Sequence, residues 1–217
     1  MSVPQNPAFT DASNTPEHWE RAYRARPSTE VSWYRPHLER SLAFINDVAP
    51  DRCAHILDVG GGASTLVDDL LAQGYRHLSV LDLSEGALST ARDRLGAAAG
   101  GVAWLHGDVR TIALEPQSLD LWHDRAVFHF LTNEADQAAY VSQVVHALKP
   151  DGHLVIATFA PDGPTRCSGL PVVRYDAAGL AQVFGGAFRL EDQAADAHAT
   201  PGGSVQSFLY CRFARVG

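Results

Sequence analysis

The residues of this sequence best suited to chemistry are glycines and carboxylates that follow apolar runs. Gly60, Gly61 and Gly62 come directly after "HILDV" (residues 55–59) and precede a helix-like stretch. Glycine permits positive φ and lets a ligand lie against the backbone, as at the carboxyl ends of strands in open α/β sheets. A tight turn without a ligand produces the same pattern. The glycines therefore indicate a binding loop only together with further residues.

Three carboxylates supply those further residues. Asp58, Asp82 and Asp108 each end one of three successive apolar runs. In such positions Asp82 can accept hydrogen bonds from both hydroxyls of a ribose, and Asp108 from an adenine amino group. Asp58 would repel a phosphate but attract an ammonium group or a sulfonium-bearing amino acid. Each alone could be a cap or turn residue, but together they favour a nucleoside ligand.

A dinucleotide is the alternative ligand. Its loop requires G-x-G-x-x-G, whose last glycine allows close helix packing, and Thr65 occupies that position here. The carboxylate of Asp58, directly before the loop, also disfavours a pyrophosphate. We find no Tyr/Lys pair of the kind that a NAD(P)-dependent reductase uses. An NAD(P)-binding protein therefore stays the less favoured interpretation.

Alternating apolar patterns predict the elements that position these residues. The strand-like runs are 55–59, 77–83, 102–107, 119–124, 153–160, 188–193 and 204–213. The helix-like runs are 15–26, 37–48, 64–73, 84–98, 133–148 and 176–184. This alternation predicts an α/β fold with a doubly wound, mostly parallel seven-stranded sheet. The last two runs have no helix between them, which predicts a closing antiparallel hairpin.

Composition and net charge limit the class of protein and the partners that we expect. The chain has 217 residues, of which 46% are hydrophobic and 19% charged, a balance typical of a globular protein. We expect residues 1–50 to form a helical extension or lid, with residues 1–15 loosely packed, and residues 51–217 to form the ligand-binding domain. The net charge of −8, without a Lys/Arg stripe, gives no expectation of a nucleic-acid or membrane partner.

Cysteine and histidine usage predicts no metal site. The three cysteines lack a CxxC spacing, and the ten histidines are scattered. The N-terminus has no apolar signal-peptide core and no run has the length of a bilayer span. We therefore expect a soluble, reduced, cytoplasmic protein, and the sequence leaves its oligomeric state open.

Four motifs in order resemble those of class I S-adenosylmethionine-dependent methyltransferases: "ILDVGGGAS", "VLDLS", "HGDVR" and "LKPDGHLVIATF". The resemblance covers roughly residues 37–213 and departs from the family at Ser64, where many members have the last glycine of a GxGxG loop. It implies a Rossmann-like methyltransferase fold, methyl transfer as the activity and S-adenosyl-L-methionine as the cofactor. The cofactor-binding residues that it implies on these motifs are Asp58, Gly60, Gly62, Asp82, Leu83, Asp108 and Val109.

Two other segments carry a closer likeness. "HWERAYRARPSTEVSWY" (18–34) resembles the aromatic lead of translation-elongation-factor lysine methyltransferases, and "LDLWHDRAVFHFL" (119–131) is similar to the Asp-Arg segment of thiopurine S-methyltransferases. This likeness implies cofactor contacts for Trp19, Tyr23, Trp33 and Arg125. The alternatives are core packing for the aromatic residues and a surface ion pair between Arg125 and its neighbour Asp124.

No residue is assigned a catalytic role from the sequence. We expect His123 to be structural and His129 to face a helix with one ring nitrogen hydrogen-bonded; Cys167 and His198 receive no assigned role. The loop 159–175 and the N-terminal extension should roof a small site, which favours a small-molecule acceptor such as a thiol or an amine. A protein lysine methyltransferase and a non-catalytic S-adenosylmethionine-binding module stay open as alternatives.

Overall fold

The structure is a computed structural model that describes residues 14–217, so the predicted loose packing of residues 1–13 lies outside the described part. The α-helices are α1 (Pro16–Ala25), α2 (Glu39–Val48), α3 (Leu66–Ala72), α4 (Glu85–Leu95), α5 (Glu134–Ala147) and α6 (Ala177–Phe184). The strands are β1 (His55–Val59), β2 (His77–Asp82), β3 (Val102–His106), β4 (Leu119–Arg125), β5 (Leu148–Phe159), β6 (Arg166–Cys167), β7 (Leu170–Pro171), β8 (Phe188–Ala199) and β9 (Val205–Arg215).

Seven of these strands form one sheet in the order β3-β2-β1-β4-β5-β9-β8. The strands from β3 to β5 are parallel, and β9 runs antiparallel to both of its neighbours. This arrangement confirms the predicted α/β class, the mostly parallel sheet and the closing hairpin. The strand order reverses between β1 and β4, which places the crevice of an open α/β sheet at the carboxyl ends of these two strands.

Helices cover both faces of the sheet, because successive strand residues point to opposite sides. Ile56 belongs to a buried cluster that includes residues of α2 and α3. Its neighbour Leu57 belongs to a second cluster, which includes residues of α5 and α6. The near-continuous apolar runs of the central strands follow from this burial on two sides.

Helix starts follow their local sequence. The Thr15 hydroxyl accepts a hydrogen bond from the His18 amide, and Pro16 occupies the first turn of α1. The Ser84 hydroxyl likewise accepts from the Ala87 amide at the start of α4. Both predicted starts are confirmed. The end of α4 differs, because the glycine-rich segment 96–101 forms a 3₁₀ turn after Leu95 instead of continuing the helix.

Three other boundaries differ from the prediction. β5 begins at Leu148, before the predicted run 153–160, and so includes the Pro-Asp-Gly segment 150–152. Asp151 there has a φ of 61°, and the pairing of β5 with β4 shifts register. The closing hairpin is longer than predicted, since β8 extends to Ala199. The predicted loop 159–175 contains the small β6–β7 hairpin. None of the described helices has the length and apolar character needed to cross a membrane.

Candidate functional site

A cavity of about 770 Å³ opens at the carboxyl ends of β1, β2 and β4. Most of the residues predicted to bind a cofactor line it: Trp19, Tyr23, Trp33, Gly60, Asp82, Leu83, Asp108, Val109 and Arg125. A second cavity shares part of this lining and is bordered by Asp58 and Gly61. Gly62 lines neither cavity. The structure therefore brings these residues, from six segments of the sequence, to one rim of the sheet.

The glycine loop lets two carboxylates approach the backbone. A Cβ atom on Gly61 would lie 2.5 Å from Asp58 Oδ2, and one on Gly62 would lie 2.6 Å from Asp82 Oδ2. Gly60 and Gly62 have φ values of 67° and 40°, in the left-handed region that favours glycine. Gly62 thus contributes by leaving room for Asp82 and not by lining the cavity.

Asp82 is the most perturbed carboxyl group of the cavity. It is 8% exposed, and its Oδ1 accepts a 2.8 Å hydrogen bond from the Ser84 amide. Burial, together with the negative charges of Asp58 and Glu20, raises the pKa of Asp82 to about 7, while His106 opposes this shift. A cationic ligand would relieve the repulsion among these carboxylates.

Asp108 is held by Arg110, which the sequence did not predict. Arg110 Nε lies 2.9 Å from Asp108 Oδ1, and Arg110 Nη1 lies 2.5 Å from Asp136 Oδ1. The hydrogen bonds from Arg110 lower the pKa of Asp108. Because both oxygens of Asp108 accept from Arg110, an adenine amino group must share or replace one of these bonds.

Helix α1 carries the predicted aromatic lead over the cavity. Glu20 Oε1 accepts hydrogen bonds from the Ser84 hydroxyl and the Gly86 amide, both at 3.0 Å, and so ties α1 to the start of α4. The Trp19 ring packs edge-to-face against Phe130, with centroids 5.1 Å apart. Trp19 also packs against the buried core. Trp19 therefore both lines the cavity and packs against the core. Cofactor contact and core packing, the two alternatives predicted for the aromatic residues, do not exclude each other.

Arg125 is the last residue of β4, and two of the three nitrogen atoms of its guanidinium group have no hydrogen-bond acceptor in the part of the chain that the structure describes. Its Nη1 donates to the Trp33 carbonyl at 3.1 Å, and its Cζ lies 4.6 Å from the centre of the Phe208 ring. Its Nε and Nη2 are buried and have no partner among the described residues. The alternative of an ion pair with Asp124 is wrong, since Asp124 accepts instead from two backbone amides and the Tyr140 hydroxyl.

The remaining candidate side chains differ in their surroundings. Both ring nitrogens of His129 lack a partner among residues 14–217, so the prediction of a hydrogen-bonded nitrogen is wrong. Burial lowers the pKa of His129 to about 3 and raises that of Cys167, which lines the cavity, to about 12. His198 lines neither cavity; it bonds to the Ser32 carbonyl and to Arg35, which lines the second cavity.

Sequence reasoning missed several lining residues. Ala126, Val127, Phe130 and Leu131 all line the cavity after β4. Their position directly after the Asp-Arg segment, at the end of a central strand, was the available indication. Ala126 has a φ of 71°, which turns the chain across the mouth of the site.

Known methyltransferases resemble this chain in sequence, and the resemblance includes the strands that carry the site. A family described as "Methyltransferase domain" matches residues 56–152, which span β1 to the first residues of β5. The ubiquinone/menaquinone biosynthesis C-methyltransferase UbiE of Roseobacter denitrificans is 27% identical over 121 residues, which are 54% of this chain and 47% of that protein. The family match identifies residues 56–152 as a methyltransferase domain of the S-adenosylmethionine-dependent kind.

Two other matches extend this comparison. The eEF1A lysine and N-terminal methyltransferase of Danio rerio is 24% identical over 160 residues, which are 72% of this chain and 23% of that protein. The chain thus spans less than half the length of these two curated methyltransferase relatives. The N-methyltransferase NodS from Bradyrhizobium japonicum, solved with S-adenosyl-l-homocysteine, superposes with a TM-score of 0.70 at 16% identity over 93% of this chain and 99% of that chain. This likeness shows a shared fold.

The residues present fit the methyltransferase cofactor, S-adenosylmethionine. The missing Cβ atoms of Gly61 and Gly62 let the carboxylates of Asp58 and Asp82 approach the loop. Asp82 offers a carboxylate for a ribose, and Asp58 one for an ammonium group. The two unpartnered N–H groups of Arg125 offer a fork that matches a carboxylate.

The pKa of Asp82 predicts a pH-dependent cofactor affinity. A carboxyl group must be ionised to accept bonds through both oxygens, and that of Asp82 ionises only as the pH rises through about 7. We therefore expect the affinity for S-adenosylhomocysteine to increase about tenfold from pH 6 to pH 8 and then to level off. Isothermal titration calorimetry at several pH values measures it. Asp82→Asn should flatten the profile, and a pH-independent wild-type affinity would contradict the prediction.

Proposed function

We propose that this protein transfers the methyl group of S-adenosylmethionine to a small-molecule acceptor. The single observation that supports this most strongly is the shared cavity of Asp82, Arg125 and the aromatic lead. These side chains match, in one space, a ribose, an amino-acid carboxylate and a sulfonium cation. A dinucleotide would place a pyrophosphate beside the carboxylate of Asp58 instead, which is electrostatically unfavourable.

The cofactor contacts are proposals of their own. Asp82 would accept from the ribose hydroxyls, and Asp58 would accept from the α-ammonium group. The buried donors of Arg125 would hold the α-carboxylate, which gives their charge a partner. Leu83 and Val109 would contact the adenine ring, with Asp108 at its amino group.

The protein's own contribution is alignment in an enclosed space. When bound, S-adenosylmethionine supplies an electrophilic methyl group on a sulfonium. Aromatic faces of Trp19 and Trp33 and the nearby carboxylates suit that positive charge. Helix α1 and the β6–β7 hairpin, through Cys167, border the cavity and would shield a bound cofactor from water.

The acceptor should arrive with its own nucleophilic lone pair. His129 is a poor general base because burial holds its pKa at about 3. The thiol of Cys167 has a pKa of about 12, so it stays protonated at neutral pH. We therefore favour acceptors that need no deprotonation by the enzyme, such as thiolates or neutral amines.

A small acceptor fits the site better than a folded protein. The cavity together with its open mouth spans about 770 Å³, and the cofactor itself must occupy much of this space. The ubiquinone biosynthesis enzymes among the relatives act, by their names, on a small molecule. Lysine methylation is the second candidate, supported by the aromatic lead and by the match to the zebrafish enzyme.

A binding comparison tests the cofactor. We expect S-adenosylmethionine and S-adenosylhomocysteine to bind and NADH not to bind, because the third glycine of the dinucleotide loop is replaced by Thr65. Calorimetry with the three ligands measures this. Tight NADH binding without a response to S-adenosylmethionine would refute the proposed function.

A transfer assay tests the acceptor. With methyl-deuterated S-adenosylmethionine, mass spectrometry should detect labelled products among small thiols and amines. An elongation-factor lysine peptide serves as the competing substrate. Labelling of the peptide alone would favour the second candidate, and cofactor binding without any labelled product would favour a non-catalytic module.

A further inference from the structure

Four polar side chains form a buried chain beneath the cavity that Asp58 borders. Asp58 Oδ1 lies 2.7 Å from His123 Nδ1, and His123 Nε2 lies 2.9 Å from Ser41 Oγ. Ser41 Oγ in turn lies 3.2 Å from Tyr210 Oη. The exposure of these four residues runs from 0% to 5%. Nothing in the proposed methyl transfer uses the last three.

The fold explains how the chain assembles. Asp58 of β1 and His123 of β4 are direct partners in the parallel register, so their side chains emerge on the same face of the sheet. Helix α2 packs over that face and brings Ser41 onto the imidazole ring. Tyr210 reaches the same hydroxyl from β9, on the far side of β5.

The distances match those of a Ser-His-Asp hydrolytic triad, but the burial excludes that chemistry. A nucleophilic serine must reach a substrate carbonyl. Ser41 is 0% exposed, and its hydroxyl has Tyr210 as its other neighbour. The four hydrogen-bonded residues therefore act within the protein, and they meet the second cavity at Asp58 and His123, which both line it.

The number of donors and acceptors determines which way the hydrogen bonds run through these four side chains. If the Tyr210 hydroxyl donates to Ser41, Ser41 donates to His123 Nε2 and His123 Nδ1–H donates to Asp58, then every proton in the chain is used. The reverse direction leaves the buried Tyr210 hydroxyl without an acceptor among the described residues, which costs free energy. The favoured arrangement therefore ends with His123 Nδ1–H donating to Asp58 Oδ1.

We propose that His123 is a positioning residue that fixes the Asp58 carboxylate to receive the α-ammonium group of the cofactor. With Oδ1 held by His123, Oδ2 is turned toward the glycine loop, where the missing Cβ of Gly61 leaves room for it. The other three members of the chain fix the tautomer and the ring orientation of His123. This inference rests on the proposed function, since it assigns Asp58 to the amino-acid end of the cofactor.

Two commercially available ligands separate this role from a general structural one. S-adenosylhomocysteine carries the α-ammonium group, whereas 5′-methylthioadenosine has the same nucleoside without the amino acid. Calorimetry on the full-length protein with both ligands measures the two affinities. Only the first ligand has a group for Asp58 to bind, so a defect of Asp58 positioning must be specific to it.

The variants follow from the geometry. His123→Leu should weaken S-adenosylhomocysteine binding about tenfold and leave 5′-methylthioadenosine binding unchanged. His123→Asn keeps a donor near the Nδ1 position and should restore part of the loss. Ser41→Ala, a milder change that retains the imidazole, should weaken S-adenosylhomocysteine alone by about threefold. Thr158→Val removes a fully buried hydroxyl outside the chain and is the matched control, with no effect expected.

Each outcome either supports or overturns the proposed role of His123. A selective loss for S-adenosylhomocysteine with partial rescue by His123→Asn supports the proposal, and where His123→Leu does not fold, the selective loss in Ser41→Ala supports it. Equal losses for both ligands, or unchanged affinities in both His123→Leu and Ser41→Ala, overturn the proposal while leaving the proposed function intact. Wild-type protein that binds neither ligand overturns the proposed function and this inference with it.

Discussion

Asp82→Ala should weaken cofactor binding by about a hundredfold or more while leaving the domain folded. In the proposed complex the substitution removes two hydrogen bonds between ribose hydroxyls and an ionised carboxylate, each worth about 1.5–3 kcal/mol. Folding should change little, because the lost bond from the Ser84 amide is offset by removal of a buried carboxyl group. Calorimetry with S-adenosylhomocysteine and circular dichroism measure the two effects.

The sign of the folding effect follows from the pKa. The folded-state pKa of Asp82 is raised to about 7 from an ordinary value of 3.8. Such a group contributes no penalty below pH 3.8, and it destabilises the ligand-free fold increasingly as the pH rises toward 7. The Asp82→Ala protein should therefore melt no lower than wild type at pH 8, and this comparison separates a binding defect from an unfolding defect.

Matched variants make the Asp82 result specific. Asp82→Asn retains one acceptor oxygen and should lose less affinity than Asp82→Ala. Asp93→Ala, which removes an exposed carboxylate from the same α4 region, should bind the cofactor as wild type does. If Asp82→Ala binds with wild-type affinity, then Asp82 serves only the turn before α4 and the ribose assignment is wrong.

Local features of this fold were predictable because their causes are local. Thr15 and Ser84 cap helices through hydrogen bonds to amides three residues away, so the sequence alone contains both partners. The carboxyl ends of parallel strands meet at one rim, which is why Asp58, Asp82 and the glycine loop were correctly expected to come together. Strand alternation likewise predicted the sheet and its closing hairpin.

Other features depend on partners far apart in the sequence. His123 contacts Asp58 only because β4 lies next to β1 in one particular register. Arg110 engages Asp136 of α5 in addition to Asp108, and this contact requires the packing of α5 beside the site. The extension of β8 to Ala199 depends on pairing with β9, since its Ala, Asp and His residues have little strand preference of their own.

We propose that helix α1 acts as a lid on the cavity. It has no fully buried residue, although Trp19 and Tyr23 both line the cavity. These two residues are four apart, so they share one face of the helix. Glu20 links this helix to the start of α4 by accepting hydrogen bonds from the Ser84 hydroxyl and the Gly86 amide. Trp19 also packs against the buried core, but no residue of α1 is itself fully buried. We therefore expect removal of the helix to affect ligand binding more than folding.

Deletion of residues 1–34 should leave a folded core that binds S-adenosylmethionine on the order of fiftyfold more weakly and turns over little. The loss corresponds to about 100 Å² of apolar ligand contact at about 25 cal/mol per Å², or about 2.5 kcal/mol. It should also open the sulfonium to water, which slows methyl transfer further. Thermal melts with and without the cofactor, combined with calorimetry, measure these effects.

The melts distinguish a lid from a core element. A truncated core that melts near the wild-type temperature without cofactor, yet gains little stability when cofactor is added, supports the lid. The double variant Trp19→Ala/Tyr23→Ala in the full chain should reproduce most of the affinity loss, whereas Arg24→Ala, on an exposed position of the same helix, should not. A truncated core that is unfolded, or that the cofactor stabilises as strongly as wild type, would mean that α1 plugs the core or leaves the ligand untouched. Either result would show that Trp19 and Tyr23 do not bind the cofactor. Arg125 would then border that end of the cavity without a covering helix.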